Sequence, residues 1–324
     1  MHSVTCSGRL GLVAGLVALM FGSATPDAQL QNRYGRFKSG TELVALNVTA
    51  TDRQERFVAN LRAEDFAVFE DGVPQEICFF ADGEVPLDLI VLLDTSSSMA
   101  SKWSAARRAA VGFIRTLGAN DRGAVVGFAR RASVLQGLTG DLPALVAAVE
   151  GAGADGTTAL YTAIYVALKE FGRPARHADE MRRQALVVLS DGYDTASPLP
   201  FDALLDEARR TGVAIYTIGL ESQPGLRAKL DGQASAARYT MRALAQETGA
   251  RAFFPRDVRE LDGIADRIGA ELAHQYAIAY APPVSDRAAG LRSIAVRMTT
   301  RSGVRLRTRT GYLAERAASS ASDR

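Results

Sequence analysis

Two segments of this chain end in the same way. Leu87–Met99 reads LDLIVLLDTSSSM, an apolar run with one charge, Asp88, that stops at Asp94 and passes at once into Ser96 and Ser98. Gln184–Gly192 reads QALVVLSDG, a second apolar run that stops at Asp191. Between them, GADGTTALYTAI carries Thr157 and Thr158 on a loop that leads into a helical pattern. Carboxylates from Asp94 and Asp191 with hydroxyls from Ser96, Ser98 and Thr158 make an all-oxygen donor set without His or Cys. Hard donors of this kind suit Mg²⁺, Mn²⁺ or Ca²⁺ rather than zinc or copper. Ser96 and Ser98 are two apart, so a single turn can aim both hydroxyls inward. Neutral hydroxyls beside a metal cancel little of its charge and leave it electrophilic toward an incoming carboxylate. That design serves binding more than hydrolysis.

Each part also has a plainer reading. Asp and Ser ahead of a helix cap it without any metal, and DTSSS alone fits that description; Thr158 and Asp191 are what move the reading to a metal. Asp155 and Asp194 lie nearby in sequence and read as solvated loop charges or caps. GAGADG (Gly151–Gly156) spells GxGxxG, but a dinucleotide fingerprint follows a strand, and here the helical DLPALVAAVE precedes it. A Ser-His-Asp hydrolase needs a placed histidine, and past the N-terminal segment only His177, in a polar loop, and His274, at a helix end, remain. There is no GxSxG elbow, no GxxxxGK[ST] phosphate loop, and Ser96 stands where a haloacid-dehalogenase-type phosphotransferase carries its second Asp. No residue is therefore assigned a catalytic or organic-cofactor role. A metal-dependent hydrolase of phosphate esters at the same site, and a structural module that leaves the site unused, are the alternatives to a binding protein.

The elements that must position these groups follow from hydrophobic pattern. Leu87–Leu93 hardly alternates, as expected of a strand covered on both faces. Trp103, Ala106, Ala110, Phe113 and Leu117 recur every three or four residues and make one helix face. GAVVGFA (Gly123–Ala129) reads as a strand, with ASVLQGL (Ala132–Leu138) beside it as an edge. Helices are expected at Leu142–Val149, Ala159–Phe171, Phe201–Arg210, Tyr239–Thr248 and Val258–Ala273, and strands at Gln184–Gly192, Gly212–Leu220 and Ala250–Phe254. Repeated strand–helix units give an α/β fold, a doubly wound, mostly parallel sheet flanked by helices. In such a sheet, ligands sit at the carboxyl ends of strands where the strand order reverses.

The flanks differ. Residues 25–85 hold alternating runs, with EDGV (Glu70–Val73) as a hairpin turn. Residues 273–313 hold QYAIAYAP, LRSIAVRMTT and VRLRTRTGYL. A few strands alone are marginal, so the two flanks are expected to meet in one small β module beside the α/β domain of residues 86–272. In a single final strand, Arg305, Arg307 and Arg309 would share one exposed face, a charged edge that discourages aggregation. The tail, 314–324, lacks large apolar residues and reads as disordered.

Residues 1–24 carry one Arg, an apolar run from Leu10 to about Phe21 and then small residues, the pattern of a secretory signal with cleavage after Ala24. The run is short for a membrane span, although an uncleaved anchor is the competing reading. The expectation is an exported protein, periplasmic or extracellular, with no membrane span after cleavage. Cleavage would leave Cys78 alone, without an internal disulfide and as a small apolar core residue. A net charge of +2 with 23% charged residues gives no electrostatic reason to expect nucleic acid or an anionic membrane as partner.

DTSSS, a later GTT and a strand ending in SDG together resemble the metal-ion-dependent adhesion site of von Willebrand factor type A domains, over residues 86–272. The family pattern is Asp-x-Ser-x-Ser, then Thr, then Asp, and the position before ALYTAI matches Thr158 rather than Thr157. Many relatives have Gly where Ser97 stands, a position that is not a ligand. The resemblance implies one divalent ion, Mg²⁺ foremost, with Ser96, Ser98 and Thr158 touching it and Asp94 and Asp191 acting through water. It implies a protein partner whose Asp or Glu completes the coordination. The flanking VTATDRQERFVANLRAEDFAVFEDGVPQEICFF and LAHQYAIAYAP resemble the ends of bacterial exported proteins related to this family.

Overall fold

The computed structural model describes residues 43–83, 85–153, 156–172, 181–220, 231–282 and 289–314, with the side chains of 231–234 left aside. The N-terminal segment with its apolar run, the tail beyond Ala314, Asp155 and His177 lie outside the described residues.

Strands β1 (Val44–Thr51), β2 (Phe66–Glu70), β3 (Val73–Gln75) and β4 (Ile77–Asp82) come first. The α/β part follows: β5 (Leu87–Asp94), α1 (Trp103–Arg115), β6 (Arg122–Phe128), β7 (Ala132–Thr139), α2 (Leu142–Gly151), α3 (Leu160–Glu170), β8 (Arg183–Ser190), α4 (Phe201–Thr211), β9 (Ala214–Gly219), α5 (Asp231–Glu247), β10 (Ala252–Phe253) and α6 (Leu261–Ala273). The chain closes with β11 (Tyr276–Tyr280), β12 (Gly290–Met298), β13 (Arg305–Arg307) and β14 (Gly311–Ala314).

The six-stranded sheet runs β10-β9-β8-β5-β6-β7. Every pairing is parallel except that of β7 with β6. All eight residues of β5 are buried. Leu89, Val91 and Leu93 face a core shared with α1, α2 and α6. Ile90 and Leu92 face a second core with α3 and α4. Two covered faces explain why this strand does not alternate. From β5 the chain winds outward to β6 and β7, then returns to β8 on the other side and winds to β9 and β10. Strand order thus reverses between β5 and β8, and the carboxyl ends of those two strands are the ligand edge. At the opposite end, buried Asp88 accepts two hydrogen bonds from Arg122 (2.9 and 2.7 Å) and one from Arg182 (2.8 Å).

The flanks form two antiparallel sheets, β13-β1-β11-β4 and β14-β12-β2-β3. They share a core that includes Leu46, Val48, Phe66, Val68, Tyr276, Ile278, Tyr280 and Ile294. N-terminal strands pair with C-terminal ones in both sheets: β1 with β11 and β13, β4 with β11, β2 with β12. The β2–β3 hairpin turns on Asp71 (φ +47°) and Gly72 (φ +81°), the two positive φ values of a type I′ turn. Cys78 is half-buried and packs at the margin of this core.

The last expected strand is in fact two, and the expected arginine face does not form. β13 ends at Arg307 and β14 belongs to the other sheet. Arg305 alone is exposed. Arg307 is drawn inward by an ion pair to the buried carboxylate of Glu271 on α6 (2.5 Å) and donates to Gly249 O (2.7 Å). Arg309 is buried over the ring of Tyr312. Burying a guanidinium beside partners outweighed the simple alternation of the sequence. Helix α5 also begins earlier than its periodicity marked, at Asp231.

Candidate functional site

The residues at the ligand edge are held by short-range hydrogen bonds that begin where β5 stops. Thr95 donates twice to Phe128 O at the end of β6, through its N–H (2.7 Å) and its hydroxyl (2.9 Å). The chain bends there. Ser96 N–H turns back to Asp94 Oδ1 (2.9 Å), and a single 3₁₀ turn over Ser97–Met99 follows, pinned by fully buried Met99. This turn leaves Ser96 Oγ and Ser98 Oγ 3.0 Å apart. The other oxygen of Asp94, Oδ2, accepts from Ser190 Oγ on β8 at 2.6 Å. The two strands are therefore joined through side chains directly below the edge.

Asp191 follows Ser190, and its Oδ1 accepts from Tyr193 N–H (3.3 Å). Gly192 makes this corner possible. Its φ is +83°, and a Cβ there would lie 2.7 Å from Met241 Sδ, so any side chain would be strained and obstructed at once.

The loop that carries Thr158 is tied to both corners. Gly156 O, on a residue with φ +93°, accepts from Ser97 N–H (3.2 Å) and Ser97 Oγ (3.4 Å). Thr158 O accepts from the N–H groups of Thr195 (2.9 Å) and Ala196 (3.1 Å), and Thr158 N–H donates to Thr195 Oγ1 (3.3 Å). Helix α3 begins two residues later with no cap of its own. Its first turn is capped from the loop after Asp191: Asp194 Oδ1 accepts from Tyr161 N–H (3.1 Å) and Ser197 Oγ from Thr162 N–H (3.0 Å). A carboxylate there also meets the positive end of the helix dipole. Asp194 is thus a cap, as one of its two sequence readings had it.

Asp94, Ser96, Ser98, Thr158 and Asp191 accordingly stand on three loops bonded to one another at one sheet edge. Asp94 is 0% exposed, Ser96 1%, Thr158 5% and Asp191 5%, while Ser98 sits open at the rim. Burial pushes the Asp94 carboxyl above the ordinary carboxylate range. Hydrogen bonds from Ser190 and Ser96 pull it part of the way back, and the like charge of Asp191 adds to the rise. Among the described residues no Lys or Arg forms an ion pair with either carboxylate, in contrast to Asp88 at the other end of β5. Buried charge without a counter-charge is costly, so a cation fits this donor set. Among the described residues no three His, Cys, Asp or Glu side chains cluster as metal ligands; hydroxyls are the remaining donors here.

Four residues of the assembly lie outside the five candidate ligands. Ser190 orients Asp94, while Thr195, Asp194 and Ser197 place Thr158 and α3. Ser190 was visible beforehand as the Ser of SDG, and Asp194 as a loop charge or cap; Thr195 and Ser197 gave no signal. His274 lies at the end of α6, where its ring stacks on Phe57 at 4.9 Å.

The described fold is similar to several solved structures. One is an aerotolerance-related membrane protein from Bacteroides fragilis carrying multiple mutations to serines, 18% identical over 57% of this chain and 98% of that one, TM-score 0.44. Another is a von Willebrand factor type A protein from Catenulispora acidiphila, 15% identical over 87% and 76%, TM-score 0.48. A third is proximal thread matrix protein 1 from the mussel byssus with a zinc-occupied MIDAS motif, 16% identical over 63% and 49%, TM-score 0.47. No curated protein matches the sequence. Residues 88–267, more than half of the chain, match the family model of the von Willebrand factor type A domain, and the chain belongs to that family.

Proposed function

We propose that this protein is a divalent-metal-dependent binding module in which Asp94, Ser96, Ser98, Thr158 and Asp191 form a metal-ion-dependent adhesion site. One observation carries the reading. Two carboxylates, 0% and 5% exposed, share one sheet edge without a basic partner among the described residues. A bound cation supplies the missing counter-charge and a Lewis-acidic position facing solvent. Mg²⁺ is the proposed ion, because every donor is oxygen and three are neutral. Asp94 is held from below by Ser190, Ser96 is fixed by the turn, and Ser98 stays exposed toward a partner. The partner is a protein that presents an Asp or Glu, and the role is adhesion or scaffolding rather than catalysis.

We place the protein outside the cytoplasm, periplasmic or extracellular, on the signal-like pattern of residues 1–24. Among the described residues no helix is long and apolar enough to cross a membrane.

Titration of the purified protein with Mg²⁺ and Mn²⁺ tests the site. Metal that binds the native state alone raises thermal stability, by about 2.7 kcal/mol at one hundred times Kd. No binding, or equal binding after Asp94→Ala with Ser96→Ala, refutes the proposal. Sustained Mn²⁺-dependent turnover of generic phosphate esters would move the assignment to the hydrolase class.

A further inference from the structure

Strand β7 is an edge of the six-stranded sheet, and it begins beside the candidate metal site. Phe128 stands in register with Asp94 on one side and with Ala132, the first residue of β7, on the other. From Ala132 to Val134 the pairing with β6 is regular. Past Val134 it shifts and leaves Leu135 as an extra, bulged residue.

The backbone of this short run is turned outward. Ala129 N–H donates to Arg131 O (3.2 Å), while Phe128 O is taken up by Thr95 on the β5 side. Bonded and non-bonded pairs alternate along an antiparallel ladder. Ser133 therefore bonds to β6, and the N–H and C=O groups of Ala132 and Val134 face away from the sheet. Among the described residues none of these four groups has a hydrogen-bond partner. Val134 is 41% exposed and Leu135 38%. An open edge is normally blunted by charge or proline. Strand β3, an edge of the β module, carries Pro74. Ala132–Thr139 reads ASVLQGLT and has neither. Charge appears only at the hairpin tip where β7 begins, as exposed Arg130 and Arg131. That tip is bonded to the Thr158 loop, Ala129 O accepting from Ala159 N–H (2.8 Å).

We propose that β7 receives an added strand from the partner that places its Asp or Glu on the metal. This rests on the metal-site reading above and names the partner more closely, as an extended segment rather than a folded surface. Neighbouring strands lie about 4.8 Å apart, so a strand added outside β7 runs about 14 Å from the line of β5. About four extended residues, at about 3.3 Å each, span that distance. Antiparallel pairing is the more stable, and β7 runs away from the ligand edge. In the partner's sequence the paired stretch therefore precedes the acid by about four residues. Main-chain bonds to Ala132 and Val134 supply affinity, and alternate apolar side chains of the segment cover Val134 and Leu135. Arg130 and Arg131 lie where the segment crosses from β7 to the metal and favour its anionic end.

The test uses synthetic peptides in Mg²⁺, followed by fluorescence anisotropy, with the Mg²⁺ affinity of each protein measured separately without peptide. One peptide is Gly-Ser with a single Glu. A second carries Thr-Val-Thr-Val-Thr ahead of the same Glu, separated from it by four Gly-Ser residues. Two more versions of the second bear N-methyl groups on alternate amides of the Thr-Val run, one set in each phase. The strand-bearing peptide is expected to bind wild type about tenfold tighter or more than the Gly-Ser one, from two or more added backbone hydrogen bonds. One N-methyl phase should abolish that gain and the other keep it, because only alternate amides of an added strand face β7. Val134→Pro removes an outward N–H, which an edge strand tolerates. It should cut the gain severalfold while Mg²⁺ affinity stays within about twofold of wild type. Melting temperature confirms folding of the variant, and the N-methyl pair tests the same contact on the unaltered protein. Equal binding of the first two peptides by a protein that binds Mg²⁺ overturns strand addition and leaves the metal site standing. Loss of the gain in both N-methyl phases, or in neither, also overturns it. So does a doubled mass in light scattering that Val134→Pro abolishes, since a second copy then occupies the edge. Absence of Mg²⁺ binding removes the metal site, and this proposal with it.

Discussion

Asp94→Asn should make the metal-free protein more stable. The carboxylate is 0% exposed, lies near a second carboxylate and has no cation beside it among the described residues. Its hydrogen bonds from Ser96 N–H and Ser190 Oγ return part of the desolvation cost. The part left uncompensated is taken as about 2 kcal/mol, within the range of about 1–3 kcal/mol for a buried polar group short of partners. Asn keeps the shape and an acceptor for Ser96 without the charge. In chelator its melting temperature should therefore exceed that of wild type by about 4–8 °C, at about 2–4 °C per kcal/mol for a domain of this size. In Mg²⁺ at one hundred times Kd, wild type gains about 2.7 kcal/mol and overtakes the variant, which gains nothing. The excess in chelator should also depend on pH. The folded pKa of Asp94 is raised, so the wild-type penalty is full above it and disappears as pH falls below the unfolded value of 3.8. Differential scanning fluorimetry with and without Mg²⁺ reads all of this. A variant that melts below wild type in chelator, or that gains equally from Mg²⁺, refutes the account of Asp94 as a charge awaiting its cation.

Ser190→Ala removes the 2.6 Å bond that orients Asp94. It should weaken Mg²⁺ binding about tenfold, the range seen when groups behind metal ligands are lost, with unfolding measured alongside to show that the fold survives. Gly249→Ala places a Cβ 2.4 Å from Arg309 N at a φ of +76°. It should cost about 3 kcal/mol in chemical denaturation, and a loss under about 1 kcal/mol would contradict the packing described here. The Asp71 carboxyl is held below the ordinary range, first by its hydrogen bond from Arg292 and then by Ser293 N–H. Its stabilising share is therefore present above pH 3.8 and lost as pH falls through the lower folded pKa. Asp71→Asn keeps the turn, because Asn accepts the φ of +47°. Melting curves of wild type and variant should separate near neutrality and converge in acid.

The α/β layers were legible because their cause is local. A strand covered on both faces cannot alternate, and Leu87–Leu93 does not. The α1 face of Ala106, Ala110 and Phe113 is buried as its spacing required. The pairing of the two flanks was legible from need, since neither set of strands suffices alone. What escaped notice depends on partners distant in sequence. Arg307 turns inward because Glu271 is there, and no alternation pattern contains that carboxylate. The candidate site divides in the same way. Asp94, Ser96 and Ser98 announce themselves by spacing, whereas Asp194 and Ser197 act on a helix more than thirty residues upstream and look like ordinary loop polars. That Asp94 and Asp191 have no ion pair among the described residues is a property of the assembled edge and of no single stretch.

Two neighbouring strands carry the chain between the β module and the α/β part. The chain leaves through β4 and re-enters through β11, and these pair with Asp82 opposite Tyr276. Antiparallel partners stand about 5 Å apart, so entry and exit share one hinge point. Tension applied between residues 43 and 314 runs through the sandwich strands and passes the α/β part by. A tether pulling on those two residues can then act without stretching the sheet that carries Asp94 and Asp191.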